Sequence, residues 1–148
     1  MITIITACTL MVAQFHGDVD RMQACISVGI EAEIQQAPTL VAIVMSWRES
    51  RFRMNAQSSV AIGPLQIIPK YWCPGGTAVG CDSVAGGIKA LRRFIERSKG
   101  LGLEHAICRY NAGYTVHCAL GRNNYSLEVM QKLRWLKRKL RWLKHRSA

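Results

Sequence analysis

The residue best suited to acid–base chemistry is Glu49, the only carboxylate between Glu33 and Asp82. It follows an apolar run, residues 40–45, that predicts a buried helix because apolar side chains occur on every side. Burial disfavours the charged form of a carboxyl and raises its pKa, so that it can act as a general acid near neutral pH. The alternative is a surface Glu49 paired with Arg53, four positions later.

Three arginines would lower the pKa of Glu49 if they faced it: Arg48, Arg51 and Arg53. Side chains one or two positions away on a helix point in other directions. We therefore expect desolvation to dominate. The pattern predicts a helix from about Pro38 to Trp47, because proline suits the first turn, and it places Glu49 at the helix end.

Three short motifs follow one another along the chain. The first is Glu49-Ser50, the second contains Ser58, Ala61, Gly63 and Gln66, and the third is Tyr110-Asn111-Ala112-Gly113. Their order and spacing resemble the lysozyme-like lytic transglycosylases, in the branch of soluble lytic transglycosylases and goose-type lysozymes. The resemblance covers roughly residues 20–125.

The resemblance implies a mainly α, lysozyme-like single domain with a long loop region after the catalytic Glu. It implies that Glu49 is the catalytic acid/base and that neither a cofactor nor a metal ion is needed. The substrate-binding residues would be Ser58, Gln66, Tyr110 and Asn111, with Ser50, Ala61 and Gly63 in supporting roles. From its position alone, Ser50 could orient Glu49 or cap a turn, and we expect a turn and packing role with some hydrogen bonding.

Two positions depart from the family's pattern. Val60 stands where a Gly usually precedes the Ala, and Pro64-Leu65 replaces the usual Leu-Met. The first departure bears on the loop conformation, since Gly tolerates backbone angles that Val does not. Neither departure removes a chemical group.

The implied reaction cleaves the MurNAc–GlcNAc β-1,4 bond of peptidoglycan and leaves a 1,6-anhydro-MurNAc end. Most glycosidases use two carboxylates. After Glu49 the next carboxylates are Asp82, Glu96, Glu104 and Glu128, and the sequence places none of them at a groove. The scarcity of carboxylates therefore agrees with a single-carboxylate mechanism. A hydrolysing muramidase is the alternative within the same class.

The chain is strongly basic, with 20 Lys and Arg against 9 Asp and Glu and a net charge of +11. This balance predicts an anionic partner or surface. No zinc spacing, aromatic RNA-binding motif or P-loop occurs, so we do not expect a nucleic-acid partner.

The C-terminal segment, residues 126–148, predicts a basic amphipathic helix. Its apolar seam consists of Val129, Leu133, Leu136, Leu140 and Leu143. Such a helix can lie on an anionic membrane or on lipopolysaccharide, or it can be the last packed helix of the domain. Binding of this helix to a membrane or to lipopolysaccharide would indicate a different class of function. The chain would then be a cationic envelope-binding antimicrobial protein that acts through this helix.

Six cysteines permit a disulfide framework with fifteen connectivities. Cys73 with Cys81 and Cys108 with Cys118 are the candidate pairs, because each would close a short loop. Disulfides would indicate an oxidising destination, whereas six buried thiols would suit the cytosol. We favour the disulfides, mainly because the implied function lies outside the cytoplasm. Cysteine and histidine spacings suited to zinc are absent.

The remaining pattern divides the chain into an apolar N-terminal segment (1–17), a catalytic domain (18–125) and the C-terminal helix. The first segment could pack as a helix, assist export or release, or touch a membrane, and we favour packing. Asp18 or Asp20 and Asp82 predict helix starts, and residues 50–82 predict loops and short helical turns.

We expect a monomer acting at the bacterial cell wall or periplasm, as a secreted lysin or as part of a phage virion.

Overall fold

The structure, a computed structural model, describes residues 2–147 and is mainly helical. Met1 of the predicted N-terminal segment and Ala148 of the predicted C-terminal helix lie outside the described residues. The α-helices are α1 (Ile2–Val12), α2 (Val19–Ile34), α3 (Thr39–Ser50), α4 (Pro69–Trp72), α5 (Ser83–Arg97), α6 (Leu103–Ala112) and α7 (Asn124–Arg146). Three short 3-10 turns lie at Ala13–Phe15, Pro74–Gly76 and Val116–Cys118. The mainly α class is confirmed.

Side-chain caps fix the starts of three helices. The Asp18 carboxylate accepts a hydrogen bond from the backbone N–H of Arg21 at the start of α2. The Asp82 carboxylate accepts from two backbone N–H groups at the start of α5. Asn123 and Ser126 form a reciprocal capping box at the start of α7. These caps satisfy N–H groups that a helix start otherwise leaves unpaired.

Helix α1 is part of the core. Ile4, Ala7 and Met11 are fully buried, and the helix packs against α2, α3 and α7. A disulfide between Cys8 and Cys25 joins α1 to α2. The favoured interpretation of this segment as a packed helix is therefore confirmed for the described residues.

Helix α3 is longer than the sequence predicted. It continues to Ser50 instead of ending near Trp47, so Glu49 lies inside the last turn and not beyond it. Arg51 and Phe52 both adopt left-handed backbone angles, which end the helix, and the Phe52 side chain is fully buried. Anchoring of Phe52 in the core supplies the free energy that holds this strained turn.

The segment between α3 and α5 consists of turns and short helices, as predicted. It contains no strand, only isolated antiparallel bridges joining Ile62 to Gln57 and to Ile67. Val60 is exposed and lies outside the left-handed region, so the replacement of Gly is accommodated.

Two glycines in α5 allow this loop to lie directly on the helix. A Cβ on Gly87 would lie 2.6 Å from the Leu65 side chain, and one on Gly86 would lie 2.8 Å from Ile67. The loop that carries the second motif is thereby held against α5.

Helix α7 is half packed and half exposed. Tyr125, Val129, Leu133 and Leu136 are buried, whereas Trp142 is 53% exposed near the C-terminal end. The interpretation as the last packed helix of the domain therefore holds for the first half of α7, and the second half is exposed to solvent. Among residues 2–147, no helix is both long and apolar enough to cross a membrane.

Candidate active site

A wide cleft of about 1340 Å³ opens beside the C-terminal end of α3. Glu49, Gln66, Tyr110 and Asn111 all line this cleft. Residues of the 60–72 loop, of α5 and of α6 complete its surface. Four residues from three separate motifs thus share one cavity.

Glu49 has a strongly shifted acidity. Burial raises its pKa from 4.5 to about 7. A hydrogen-bonding contribution from Tyr125 and the positive charge of Arg48 both lower the pKa, but burial outweighs them. The expectation that desolvation dominates is confirmed. A carboxyl with this pKa is substantially protonated at neutral pH and can donate a proton.

Tyr125, in the first turn of α7, is a polar neighbour of this carboxyl that none of the three motifs contains. Its side chain is 4% exposed, and its hydroxyl completes no hydrogen bond of good geometry within the described residues. The hydroxyl is nevertheless near enough to Glu49 to lower the carboxyl's pKa. Burial and the Glu49 charge raise the pKa of Tyr125 well above its usual value, so the phenol stays protonated and can donate.

Arg48 is turned away from Glu49 toward α7. Its Nε lies 2.6 Å from a carboxylate oxygen of Glu128, and its guanidinium lies over the Tyr125 ring at 5.3 Å. The pairing with Glu128 explains why Arg48 only partly offsets the burial of Glu49. No ion pair forms between Glu49 and Arg53 in the described chain, so the surface-pair alternative is not observed.

Tyr110, on α6, lines the cleft together with Glu49, and its hydroxyl already has a hydrogen-bond partner. It donates a 2.6 Å hydrogen bond to the backbone carbonyl of Leu65. Burial and the Glu49 charge raise the pKa of Tyr110 well above its usual value. We call Glu49, Tyr110 and Tyr125 the tyrosine pocket. Its two phenols remain neutral while the carboxyl titrates.

The second motif mainly shapes the loop. The Gln66 amide donates to the carbonyls of Gly63, at 2.9 Å, and Ala56, leaving its own oxygen as a free acceptor. The Ser58 hydroxyl accepts from the backbone N–H groups of Val60 and Ala61. Ser58 is not among the residues that line the cleft, so the geometry supports a loop-forming role for it rather than substrate contact.

The supporting residues tie this loop to the helix that carries Glu49. The buried Ser50 hydroxyl donates to the Pro64 carbonyl at 2.8 Å. Gly63 has φ +79°, and a Cβ there would overlap the Ser83 side chain. Ala61 lines the cleft. The Ser50 hydrogen bond therefore ties the loop to α3, and the close approach at Gly63 ties it to the start of α5.

Asn111 is exposed at the cleft surface. Its side-chain oxygen accepts a 3.2 Å hydrogen bond from Asn123, which caps α7. The Asn111 amide N–H groups remain available to a ligand.

Four aromatic rings form one side of the cleft, and we call them the aromatic wall. Phe94 is at the centre, with ring centroids 5.9–6.2 Å from the other members, which are Trp72, Tyr110 and Tyr114. The disulfides Cys73–Cys81 and Cys108–Cys118 are close to this wall in the chain, because Cys73 follows Trp72 and Cys108 lies two residues before Tyr110. Both candidate pairs are thus confirmed, and the third bridge, Cys8–Cys25, was not anticipated.

A second carboxylate also lines the cleft, which corrects a sequence-based expectation. Glu96, on α5, had been assigned to helix packing but is exposed at the cleft surface. The helical pattern placed Phe94 on the packed side of α5 and did not reveal that this side also borders a cavity. Glu96 differs from Glu49 in being accessible to water.

Tyr125 could have been found from the sequence. It lies one turn before Val129 on the same apolar seam of α7, which places it on the buried side of the helix. Which helix it faces could not be read from that pattern.

Among residues 2–147 no group of three or more His, Cys, Asp or Glu is arranged to hold a metal ion.

Comparisons with models of known protein families, with curated proteins and with solved structures found no match. The functional argument therefore rests on the chemistry of the cleft.

Proposed function

We propose that this chain is a peptidoglycan lytic transglycosylase that uses Glu49 as its acid and base. The observation that carries the proposal is a carboxyl with a pKa of about 7, held in a wide, aromatic-lined cleft. Ligand clefts of this kind combine apolar surface with a few placed polar groups. The resemblance of three motifs to lysozyme-like transglycosylases supports the same function.

In the proposed reaction, protonated Glu49 first donates its proton to the glycosidic oxygen, and the bond between that oxygen and the anomeric carbon of MurNAc breaks. Glu49, now a carboxylate, then removes the proton from the 6-hydroxyl of the same sugar. That oxygen forms a new bond to the anomeric carbon and gives the 1,6-anhydro ring. The proton taken from the 6-hydroxyl restores the acid form of Glu49, while the proton donated first leaves on the hydroxyl of the released sugar. No water is consumed.

The tyrosine pocket suits a carboxyl that must change charge twice in one turnover. The Tyr125 hydroxyl is unpaired and can donate to Glu49 when the carboxylate forms. Tyr110 is held by Leu65, so its ring keeps a fixed position beside the carboxyl. Fixed dipoles near a developing charge stabilise it without reorganisation.

The proposal is tested by the rate at which purified peptidoglycan is cleaved. Glu49→Gln keeps the shape of the side chain but removes its proton transfer, and we expect the rate to fall at least ~100-fold. Glu96→Gln is the matched control, because it makes the same change at the exposed carboxylate of the same cleft. We expect the control to keep activity within a few-fold of wild type. Equal losses would indicate a two-carboxylate hydrolase, and an active Glu49→Gln would remove Glu49 from the chemistry.

A second candidate function is favoured by the exposed half of α7. Trp142 is 53% exposed beside Arg146, and the neighbouring cations face solvent. A basic helix with an exposed Trp can bind an anionic membrane or lipopolysaccharide. Its test is a chain shortened after Lys139, because removal from residue 132 onward would delete the buried Leu133 and Leu136. Loss of killing with unchanged wall cleavage would assign the killing to this helix.

A further inference from the structure

We infer that one rim of the cleft binds the carboxylates of the peptide stems carried by the glycan strand. This inference rests on the proposed function and specifies its substrate: glycan that still bears anionic stems. The rim is formed by α5, and we call its four cations the basic rim. They are Lys89, Arg92, Arg93 and Arg97.

Helical spacing arranges these cations along the cleft. Lys89, Arg93 and Arg97 follow one another at intervals of four residues, which places them on one side of the helix. At a rise of 1.5 Å per residue they extend over about 12 Å. Arg92 lies next to this row, and all four cations line the same cleft as Glu49.

The basic rim has no anion of its own. None of its four members forms an ion pair or a side-chain hydrogen bond within residues 2–147. Arg97 contacts only the face of Tyr114, with its guanidinium carbon 5.9 Å from the ring centroid. Glu96 is the one carboxylate on this side of α5 that lines the cleft, so the local balance is four cations to one anion.

The position of the rim indicates what kind of anion it binds. It is continuous with the aromatic wall through Phe94, which lies between Arg93 and Arg97 in the sequence. A sugar chain lying on the aromatic wall would bring its side groups to the rim. The glycan backbone itself is neutral, whereas its peptide stems end in carboxylates. Guanidinium groups bind carboxylates through paired hydrogen bonds, which suits an arginine-rich rim.

The expected gain is moderate, because the rim is exposed to water. Exposed charge pairs contribute little individually, so we expect about three-fold per cation and roughly ten-fold or more for the rim as a whole. This gain should shrink as salt is added, since ions screen exposed charges.

The experiment compares two soluble glycan substrates of equal length, one with native stems and one with stems whose carboxylates are capped as neutral amides. For the wild type we expect kcat/KM to be at least about ten-fold higher on native than on capped stems. In a variant with all four rim cations changed to Gln, the ratio should approach one. The matched control changes four exposed cations of α7 to Gln, and its ratio should stay at the wild-type value. The four are Lys137, Arg138, Lys139 and Arg141.

A binding measurement separates failure of this inference from failure of the proposed function. The Glu49→Gln protein is titrated with native and with capped stem-bearing glycan by calorimetry. Tighter binding of the native form, lost in the rim variant, supports the inference. Equal binding of the two forms overturns it even if the wild type cleaves both. Cleavage of neither substrate by the wild type overturns the proposed function instead.

A single-stranded DNA oligonucleotide serves as a competing anion. Rim-dependent binding of DNA, together with equal affinity for native and capped stems, would assign the rim to phosphate and would overturn the inference. Weak DNA binding that is the same in the wild type and the rim variant supports stem carboxylates as the ligand.

Discussion

The tyrosine pocket and the basic rim border the same cleft, yet they hold charge in opposite ways. In the pocket, burial raises the pKa of Glu49 to about 7, and two neutral phenols surround it. On the rim, four cations and Glu96 face water. Proton transfer requires a carboxyl whose two charge states are close in free energy, and only burial produces this here. Recognition of an anion requires the reverse, a permanent charge that is free to pair.

Among the changes that would disturb the cleft, removal of a disulfide should have the largest effect, because it lowers the free energy of unfolding of the whole chain. Replacing both cysteines of Cys108–Cys118 by Ala should lower the free energy of unfolding by about 3 kcal/mol and, because the bridge is close to the aromatic wall in the chain, also lower kcat/KM. Removing Cys8–Cys25, which joins α1 to α2, should cost a similar stability and leave kcat/KM of the folded fraction unchanged. Urea unfolding and cleavage rates measure both quantities. Equal effects on kcat/KM would show that the wall does not depend on its own bridge.

A smaller effect distinguishes Glu49 from Glu96 by how the free energy of unfolding of their Gln variants depends on pH. Because the folded-state pKa of Glu49 lies above its unfolded value, ionisation favours unfolding as pH rises from 4.5 to about 7. Glu49→Gln should therefore be more stable than wild type at pH 8, by about 1–3 kcal/mol, and the difference should vanish near pH 4.

Glu96→Gln is the reference for this measurement. Glu96 is exposed, so its replacement should change the free energy of unfolding by less than about 1 kcal/mol. Denaturant midpoints at pH 4, 6 and 8 give the comparison. A pH-independent difference for Glu49→Gln would mean that the carboxyl is not held in a buried, neutral form.

The smallest predicted effect concerns the neighbours that lower the pKa of Glu49. Tyr125→Phe and Arg48→Gln each remove such a neighbour, so the pKa of Glu49 should rise further. The acid must be protonated to start the reaction, so the alkaline fall in rate should move to higher pH in both variants. The pH dependence of kcat/KM measures this. Tyr71→Phe, at an exposed tyrosine that lines the cleft, is the control and should leave the midpoint unchanged. A shift to lower pH would contradict the arrangement.

Capping residues and apolar spacing predicted the helices well, because both act through interactions between residues that are close in the sequence. The carboxylates of Asp18 and Asp82 cap α2 and α5 where the pattern placed helix starts. The end of α3 was misplaced because Phe52 is fixed by the core, which a local pattern does not contain.

The candidate site was only partly accessible from the sequence. The motifs led to Glu49, Gln66, Tyr110 and Asn111, which the structure brings to one cleft. The partnership of Tyr125 with Glu49 and the exposure of Glu96 depend on how α7 and α5 are arranged around α3. Helical periodicity shows which side of a helix is apolar, but not what that side faces.

The most direct test of the account is the mass of the fragments that the wild-type protein releases from purified peptidoglycan. Chemistry by Glu49 alone, with the 6-hydroxyl as nucleophile, predicts fragments that are lighter by one water than the products of hydrolysis and that have no reducing end. Fragments with reducing ends would contradict the single-carboxylate mechanism and direct attention to Glu96 or a bound water. Release of no fragments would contradict the proposed enzyme itself.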